Sequence, residues 1–249
     1  MRLRNFLYLV GFTALPMSVS AQSIEVGDSR VDASFIQPYE ATFKFFDQSE
    51  EGEPVFAGTW TDDVTLTESE DQEVLSRRVV RFTPDGVADL ERTTTATANT
   101  LAPITTHQVF GENLSGVMHV DFNETAMTQI LISQPSAAAR VLQVELGQNV
   151  FERSFWATLA MSLPFEEGLT VELPTYALGK NTVGSEVFEV HGIETVEAMG
   201  TTFPARRITA PGSNWTFWVR KEPPYIVQIT HPSSSGGTAT SVLEAFQQQ

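Results

Sequence analysis

Tyr39-Glu40-Ala41-Thr42-Phe43-Lys44-Phe45 is the stretch that decides the fold: Tyr39, Ala41, Phe43 and Phe45 alternate with Glu40, Thr42 and Lys44. Successive side chains of an extended chain point to opposite faces, so this is a strand with one buried and one wet face. The same period returns at Met118, Val120 and Phe122, at Leu142, Val144 and Leu146, and at Leu169, Val171 and Leu173. It appears again at Trp215, Phe217 and Val219, and at Tyr225, Val227 and Ile229. One apolar face per strand is the mark of antiparallel sheet. Turn residues separate the runs: Glu51-Gly52, Pro84-Asp85-Gly86, Gly111-Glu112-Asn113, Gly179-Lys180-Asn181, Gly192, Pro211-Gly212 and Ser235-Gly236-Gly237. Spacings of about 8 to 15 residues fit hairpins, because each parallel crossover would need a helix. The long run Pro54–Glu68 points to a strongly curved or barrel-like sheet.

One segment departs from period two. From Asn149 to Leu163, Val150, Phe151, Phe155, Leu159 and Met161 fall near i, i+4, i+8, with Trp156, Ala157 and Ala160 between. This predicts a helix of about three turns, apolar over more than half its circumference. Pro164 ends it. A helix this apolar must be buried on most sides, most simply in the concavity of the curved sheet. Pro135-Ser136-Ala137-Ala138-Ala139-Arg140 reads as a short helical turn or a loop, and Gln22–Gln37 as a mobile lead-in with little periodicity.

The first residues carry an address. Arg2 and Arg4 precede the apolar run Phe6–Phe12, and Val19-Ser20-Ala21 supplies the small residues a signal peptidase reads, so cleavage is expected between Ala21 and Gln22. The run is too short to cross ~30 Å of hydrocarbon, and the mature chain is expected to have no transmembrane segment. Gln22 stands where a bacterial lipoprotein would carry its acylated cysteine. The protein is expected in a Gram-negative periplasm, with secretion as second choice. The expected domains are a signal peptide at 1–21, the lead-in at 22–37 and a single antiparallel β domain at 38–249.

Composition removes several chemistries. Of 15 Lys+Arg, losing Arg2 and Arg4 leaves 13 against 31 Asp+Glu, a formal charge of −18 for the mature chain. That balance repels nucleic acid and anionic membrane surfaces. With no cysteine there is no disulfide, thiol redox, cysteine nucleophile or thiolate metal site. Stability must come from a core, and roughly 228 mature residues can build one.

The four histidines, His107, His119, His191 and His231, include no pair two to four residues apart, so no local zinc motif exists. Gly184-Ser185 and Gly212-Ser213 lack the second glycine of a nucleophile elbow. No glycine-rich phosphate loop is present. The acidic runs Glu50-Glu51-Glu53, Glu68-Glu70-Asp71 and Glu166-Glu167 read as solvated loops, and Asp47 to Glu53 is a poor calcium loop. Asp62-Asp63 beside Trp60 has the outline of a sugar-stacking motif, but with a single aromatic. Asn113, Asn123 and Asn214 head Asn-x-Ser/Thr triplets that carry meaning only in a eukaryotic secretory pathway. No cofactor, metal or catalytic residue is expected.

Seventeen phenylalanines and four tryptophans are a heavy load for a thin domain. Trp215 and Trp218 stand three apart on one strand and so face opposite ways; only one can join the main core, and the other must cover a second layer, a partner or a cavity.

The order of motifs from about residue 150 onward is also informative. The apolar helix leads to Leu163-Pro164-Phe165, Gly168 and Leu173-Pro174. A strand pair follows at Val187–Val190 and Gly192-Ile193-Glu194, then Gly200-Thr201-Thr202-Phe203-Pro204-Ala205-Arg206-Arg207. Trp218-Val219 and Pro223-Pro224-Tyr225-Ile226-Val227 close the series. This order resembles an uncharacterised family of Gram-negative exported proteins, a domain of unknown function akin to the half-barrels of the LolA/LolB-type lipoprotein carriers. The resemblance covers roughly residues 150–246. It implies a mainly β fold: a single curved antiparallel sheet, or half-barrel, with one apolar helix packed in its concave face. It carries over no catalytic residue.

The preferred function is an exported non-enzymatic protein that binds a lipid or lipidated partner in an apolar half-barrel cavity, lined by Phe155, Trp156, Leu159, Trp215 and Trp218. The alternative is a cell-envelope structural or assembly protein that binds another protein through its sheet edge and has no ligand cavity. A glycan or ester hydrolase and an outer-membrane barrel rank below both; the Phe246-Gln247-Gln248-Gln249 ending does not suit the barrel.

Overall fold

The computed structural model describes residues 21–69, 72–111, 114–123, 125–134, 136–178 and 182–249. The signal-peptide reading of residues 1–20 lies outside these residues, as do Glu70-Asp71, Glu112-Asn113, Pro135 and Gly179-Lys180-Asn181.

Alternating apolar and polar residues form strands almost throughout. The elements are β1 (Gln22–Ser23), β2 (Tyr39–Gln48), β3 (Val55–Ser69), β4 (Gln72–Phe82), β5 (Ala88–Thr97), β6 (Pro103–Phe110), β7 (Gly116–Phe122), β8 (Ala126–Ile132) and β9 (Arg140–Glu145). Then come β10 (Phe151–Glu152), a 3-10 turn (Arg153–Phe155), helix α1 (Trp156–Ser162), β11 (Thr170–Ala177), β12 (Thr182–Ala198), β13 (Thr201–Ala210), β14 (Trp215–Val219), β15 (Ile226–Pro232) and β16 (Thr238–Gln248).

All strands belong to one sheet in the order β1-β11-β12-β13-β14-β15-β16-β2-β3-β4-β5-β6-β7-β8-β9, with β10 paired to β11. Two meanders, β2 to β9 and β11 to β16, are joined by the antiparallel β16–β2 pair, so the last strand meets the first long one in space. The sheet is not closed. Its pairs are antiparallel except for the two-residue bridges of β1 and β10 on β11.

The sheet curls until its two ends nearly face each other. Met118, Val120 and Met127 from β7 and β8 share a core cluster with Val150 and with Tyr176 of β11. The Phe122 and Tyr176 rings meet edge to face at 6.1 Å. Among the described residues, side chains bridge this seam.

Local bulges help the bend. At one, Phe45 and Phe46 of β2 oppose Gly58 and Phe56 of β3. Gly58 takes φ +137°, and a Cβ there would lie 2.0 Å from the carbonyl oxygen of Phe82. Only glycine fits this close approach. Gly192, expected at a turn, lies instead inside the continuous strand β12, where the register shifts between Val190 and Ile193. The expected strand pair there is one bulged strand.

Because β9 and β11 lie near opposite ends of the sheet, the chain between them must cross the hollow, and that crossing carries α1. Every residue of α1 is buried. It packs on β14 and β15 and shares one core with Phe43, Trp60, Val64, Phe188, Ile208 and Phe217 from the inner face.

The helix is shorter than the spacing predicts. Phe151 and Glu152 are extended and paired with Thr175 and Tyr176, so helical structure starts only at Arg153. The reason is Glu152: its carboxylate accepts from the Ser154 backbone N–H, as an N-cap does, and N-cap backbone is extended. Leu163 is extended before Pro164, as expected.

The lead-in Gln22–Gln37 is packed rather than loose. Ile24, Val31, Ala33 and Ile36 are core residues. The Asp32 backbone N–H donates to the Ser162 carbonyl oxygen at 3.0 Å, satisfying an orphan acceptor at the end of α1. Its sequence lacks a period because it is irregular chain, and burial does not require one.

Candidate functional site

The site forms where the start of α1 faces β3, β4 and β5. On β4, Leu75, Arg77, Val79 and Arg81 occupy alternate positions and so share one face. Cross-strand register places Trp60 beside Arg81, Val79 beside Arg92, and Arg77 beside Thr94. Three arginines therefore enter the concave side from two neighbouring strands. A fourth, Arg153, arrives with the 3-10 turn and lays its guanidinium 3.9 Å over the Trp156 ring.

Trp156 meets Trp215 edge to face at 5.6 Å and Phe188 at 5.8 Å. Trp215 stacks on His231 at 4.5 Å. These rings and the arginines line a half-open cavity of about 200 Å³, bounded also by Phe45, Trp60, Val79, Thr94, Ser154, Ile229 and Ser241. A second hollow of about 210 Å³ adjoins it and shares Arg92, Arg153, Ser154, Trp156 and Trp215; Glu152, Ala177 and Leu178 complete its wall. The two hollows are neighbouring lobes: rings and all four arginines border the first, and Glu152 joins Arg92, Arg153, Trp156 and Trp215 around the second.

The four arginines differ in how they are occupied. Arg77 is held by fully buried Asp62, Nε to Oδ1 at 2.7 Å and Nη2 to Oδ2 at 3.0 Å, while its Nη1 donates to the Ser154 carbonyl oxygen at 2.7 Å. Tyr39 donates to the same carboxylate at 3.0 Å. Arg81 makes two bonds to Asp89, at 2.8 and 2.9 Å, near the rim. Arg92 donates through Nε to Gln108 at 2.7 Å. Among the described residues, neither Arg92 nor Arg153 has a carboxylate within the 4.0 Å of an ion pair.

Their shared anion is Glu152, which is 1% exposed. Burial pushes its carboxyl up to about 7, against the pull of Arg92, the Ser154 N–H, Arg77 and Arg153. Burial lowers the pKa of Arg92 and Arg153, most strongly opposed in Arg92 by Glu152 and in Arg153 by Glu186. It pushes Tyr176 up to about 12, with Glu152 adding to the effect, and holds His231 below the usual imidazole value. The indole Nε1–H of Trp156 is buried without a hydrogen-bond partner among the described residues.

The hydroxyls here have structural work. Ser154 Oγ bonds Glu152 and lies 2.8 Å from Thr94 Oγ1, and Ser241 Oγ accepts from Trp60 Nε1 at 2.9 Å. His231 Nδ1 lies 2.9 Å from the Pro232 carbonyl oxygen. Among the described residues, no group of three or more His, Asp or Glu side chains could hold a metal ion. The arrangement can bind, and what it offers is aromatic surface and positive charge.

Of the residues expected to line a cavity, Trp156 and Trp215 do. Phe155 and Leu159 do not: they are 1% and 0% exposed and belong to the core beneath the helix. Trp218 does not either. It lies on the other face of β14, where its Nε1 donates to Glu194 at 2.8 Å. The sugar-stacking reading of Trp60 with Asp62 also fails, since Trp60 stacks flat on Phe43 at 4.1 Å and Asp62 is sealed in its ion pair. The arginines escape a reading by motif, although the alternation Leu75-Arg77-Val79-Arg81 already places two cations among apolar neighbours.

Residues 38–242 match the family model described as Protein of unknown function (DUF3108). The chain belongs to that family. Among solved structures, this DUF3108 chain is similar to the beta-barrel-like protein of domain of unknown function DUF1849 from Brucella abortus. The TM-score is 0.53 at 8% identity, over 86% of this chain and 98% of that one. At that identity the likeness is one of fold. No curated protein matches in sequence. The comparisons bear out a family of unknown function and a barrel-like sheet; neither names a lipoprotein carrier.

Proposed function

We propose that this protein is an exported, non-enzymatic binding module, cleaved after Ala21, that holds the apolar chain of a lipid or lipidated partner inside its curved sheet. A carrier role of the kind served by LolA/LolB-type half-barrels follows from that reading. The observation that supports it is the hollow bordered by Trp60, Trp156 and Trp215 on the inner face of the sheet. Solvent extraction of the purified protein and mass spectrometry should recover an acyl compound, and a fluorescent fatty acid should bind with about one equivalent. Empty extracts together with no uptake would overturn it.

A second reading rests on a different observation. β9 is the last strand of the sheet and leaves one edge unpaired. Its Val141 is 66% exposed and sits in register with half-exposed Ile130 of β8. An apolar sheet edge is a docking site for another strand. Cross-linking in cells through position 141 that traps one dominant protein would favour assembly over carriage.

A further inference from the structure

The arginines narrow the class of ligand. The chain has only 15 Lys and Arg in 249 residues and a formal charge of −16, yet four arginines border one small hollow. Two of these charges are already matched, Arg77 by Asp62 and Arg81 by Asp89. The other two, Arg92 and Arg153, each border both lobes of the space.

A half-buried guanidinium is stable only if its charge is met by an anion or by several hydrogen bonds. Among the described residues Arg92 has one acceptor, the Gln108 side chain, and Arg153 rests on an aromatic face. Glu152 acts on both and Glu186 on Arg153 as well, but among the described residues neither carboxylate comes within ion-pair distance of either guanidinium. The Trp156 N–H is a further donor without an acceptor among the described residues. Beside these donors lie the rings of Trp60, Trp156 and Trp215 with the side chains of Val79 and Ile229, an apolar stretch of wall that suits hydrocarbon.

We propose that the cavity takes a single-chain anionic amphiphile, with its carboxylate or phosphate head between Arg92 and Arg153 and its chain against Trp60, Trp156 and Trp215. This rests on the cavity reading above and adds the chemistry of the head. Guanidinium forks match both carboxylate and phosphate oxygens, so the two heads are one class to this site.

The test is a calorimetric comparison of octanoate, octyl phosphate, 1-octanol and inorganic phosphate on the signal-free protein. Octanoate and octyl phosphate should bind about ten-fold or more tighter than 1-octanol, since charged hydrogen bonds are the stronger kind. Arg92→Gln and Arg153→Gln should remove most of that advantage, and wild-type circular dichroism spectra should show that the variants fold. Arg92→Lys should retain part of it.

Equal binding of octanoate and 1-octanol would overturn the anionic head while leaving the carrier reading intact. Failure of all three octyl compounds to bind would overturn both. Inorganic phosphate binding as tightly as octyl phosphate would mean a simple anion site and overturn the amphiphile. Anion affinity unchanged in both glutamine variants would overturn the assignment to these arginines.

Discussion

Arg77 and Asp62 form a two-pronged ion pair, at 2.7 and 3.0 Å, in which the carboxylate is fully buried and the guanidinium is 7% exposed. The same guanidinium holds the Ser154 carbonyl oxygen, so one side chain fastens β3 and β4 to the turn that starts the helix. The pair sets where Trp156 enters the hollow and thereby shapes the cavity.

Asp62→Ala should destabilise the protein by about 3–5 kcal/mol in urea denaturation, because it leaves a buried cation unmatched. The double variant Asp62→Leu with Arg77→Met should recover most of that loss, since an apolar pair of similar size removes both desolvation costs. A double variant no better than Asp62→Ala would mean that the pair contributes more than charge balance.

Trp215 and Trp218 separate cavity from surface on a single strand. Trp215→Ala should lower uptake of a fluorescent fatty acid about ten-fold or more, because it removes a ring that packs on both Trp156 and His231. Trp218→Ala should leave uptake unchanged, as its Nε1–H bonds Glu194 on the face of β14 away from the cavity. Equal loss in both variants would argue against ligand entry at this lobe.

Glu152 makes stability depend on pH in an unusual sense for a carboxylate. Its pKa rises from 4.5 to about 7 in the folded protein, so the folded state holds the proton more tightly than the unfolded one. The resulting stabilisation is complete below pH 4.5 and is lost as pH rises through 7. Holding the proton that much more tightly is worth on the order of 3 kcal/mol, which is the size of the loss. Arg92, Arg77 and Arg153 face the carboxyl and limit the effect, and Tyr176 stays neutral beside it. Denaturation of Glu152→Gln should therefore show the variant gaining on the wild type between about pH 5 and pH 8. A difference that is flat with pH would show that Glu152 remains ionised throughout.

Gly58→Ala should cost about 1–3 kcal/mol or more, since the added carbon meets the Phe82 carbonyl oxygen at 2.0 Å and φ is +137°. Gly27→Ala, with positive φ but open space, should cost less. Thermal unfolding of the two variants side by side separates the steric clash from backbone strain alone.

Leu159→Ala should cost about 2–5 kcal/mol, the usual range for a fully buried leucine. It should leave octanoate affinity nearly unchanged, because Leu159 lies in the core away from the cavity wall.

Much of the sheet was legible because a strand declares itself within a few residues. Tyr39, Ala41, Phe43 and Phe45 show their face whatever they pair with, and four of them in alternation outweigh any local preference for helix. The helix was legible for the same reason, but its start was not. Phe151 carries the right spacing, yet it pairs with Thr175, a residue that no local signal places beside it. Gly192 looked like a turn because a glycine inside a strand and a glycine ending one read alike until the partner strand is known.

The site was less legible. That Trp215 and Trp218 face opposite ways follows from parity, but which of them faces inward depends on the side from which α1 approaches. Glu152 and Arg92 lie 60 positions apart, and only the curl of β4 and β5 around the helix brings them to one hollow. By itself the amino-acid order determined an antiparallel sheet, a buried helix stopped at Pro164, and a chain without thiol chemistry, since these depend on neighbours along the backbone. The tertiary structure decided which arginines are matched, where the hollow lies and which tryptophans line it. Those follow from contacts between distant strands, whose geometry is set by the burial of the whole apolar face at once.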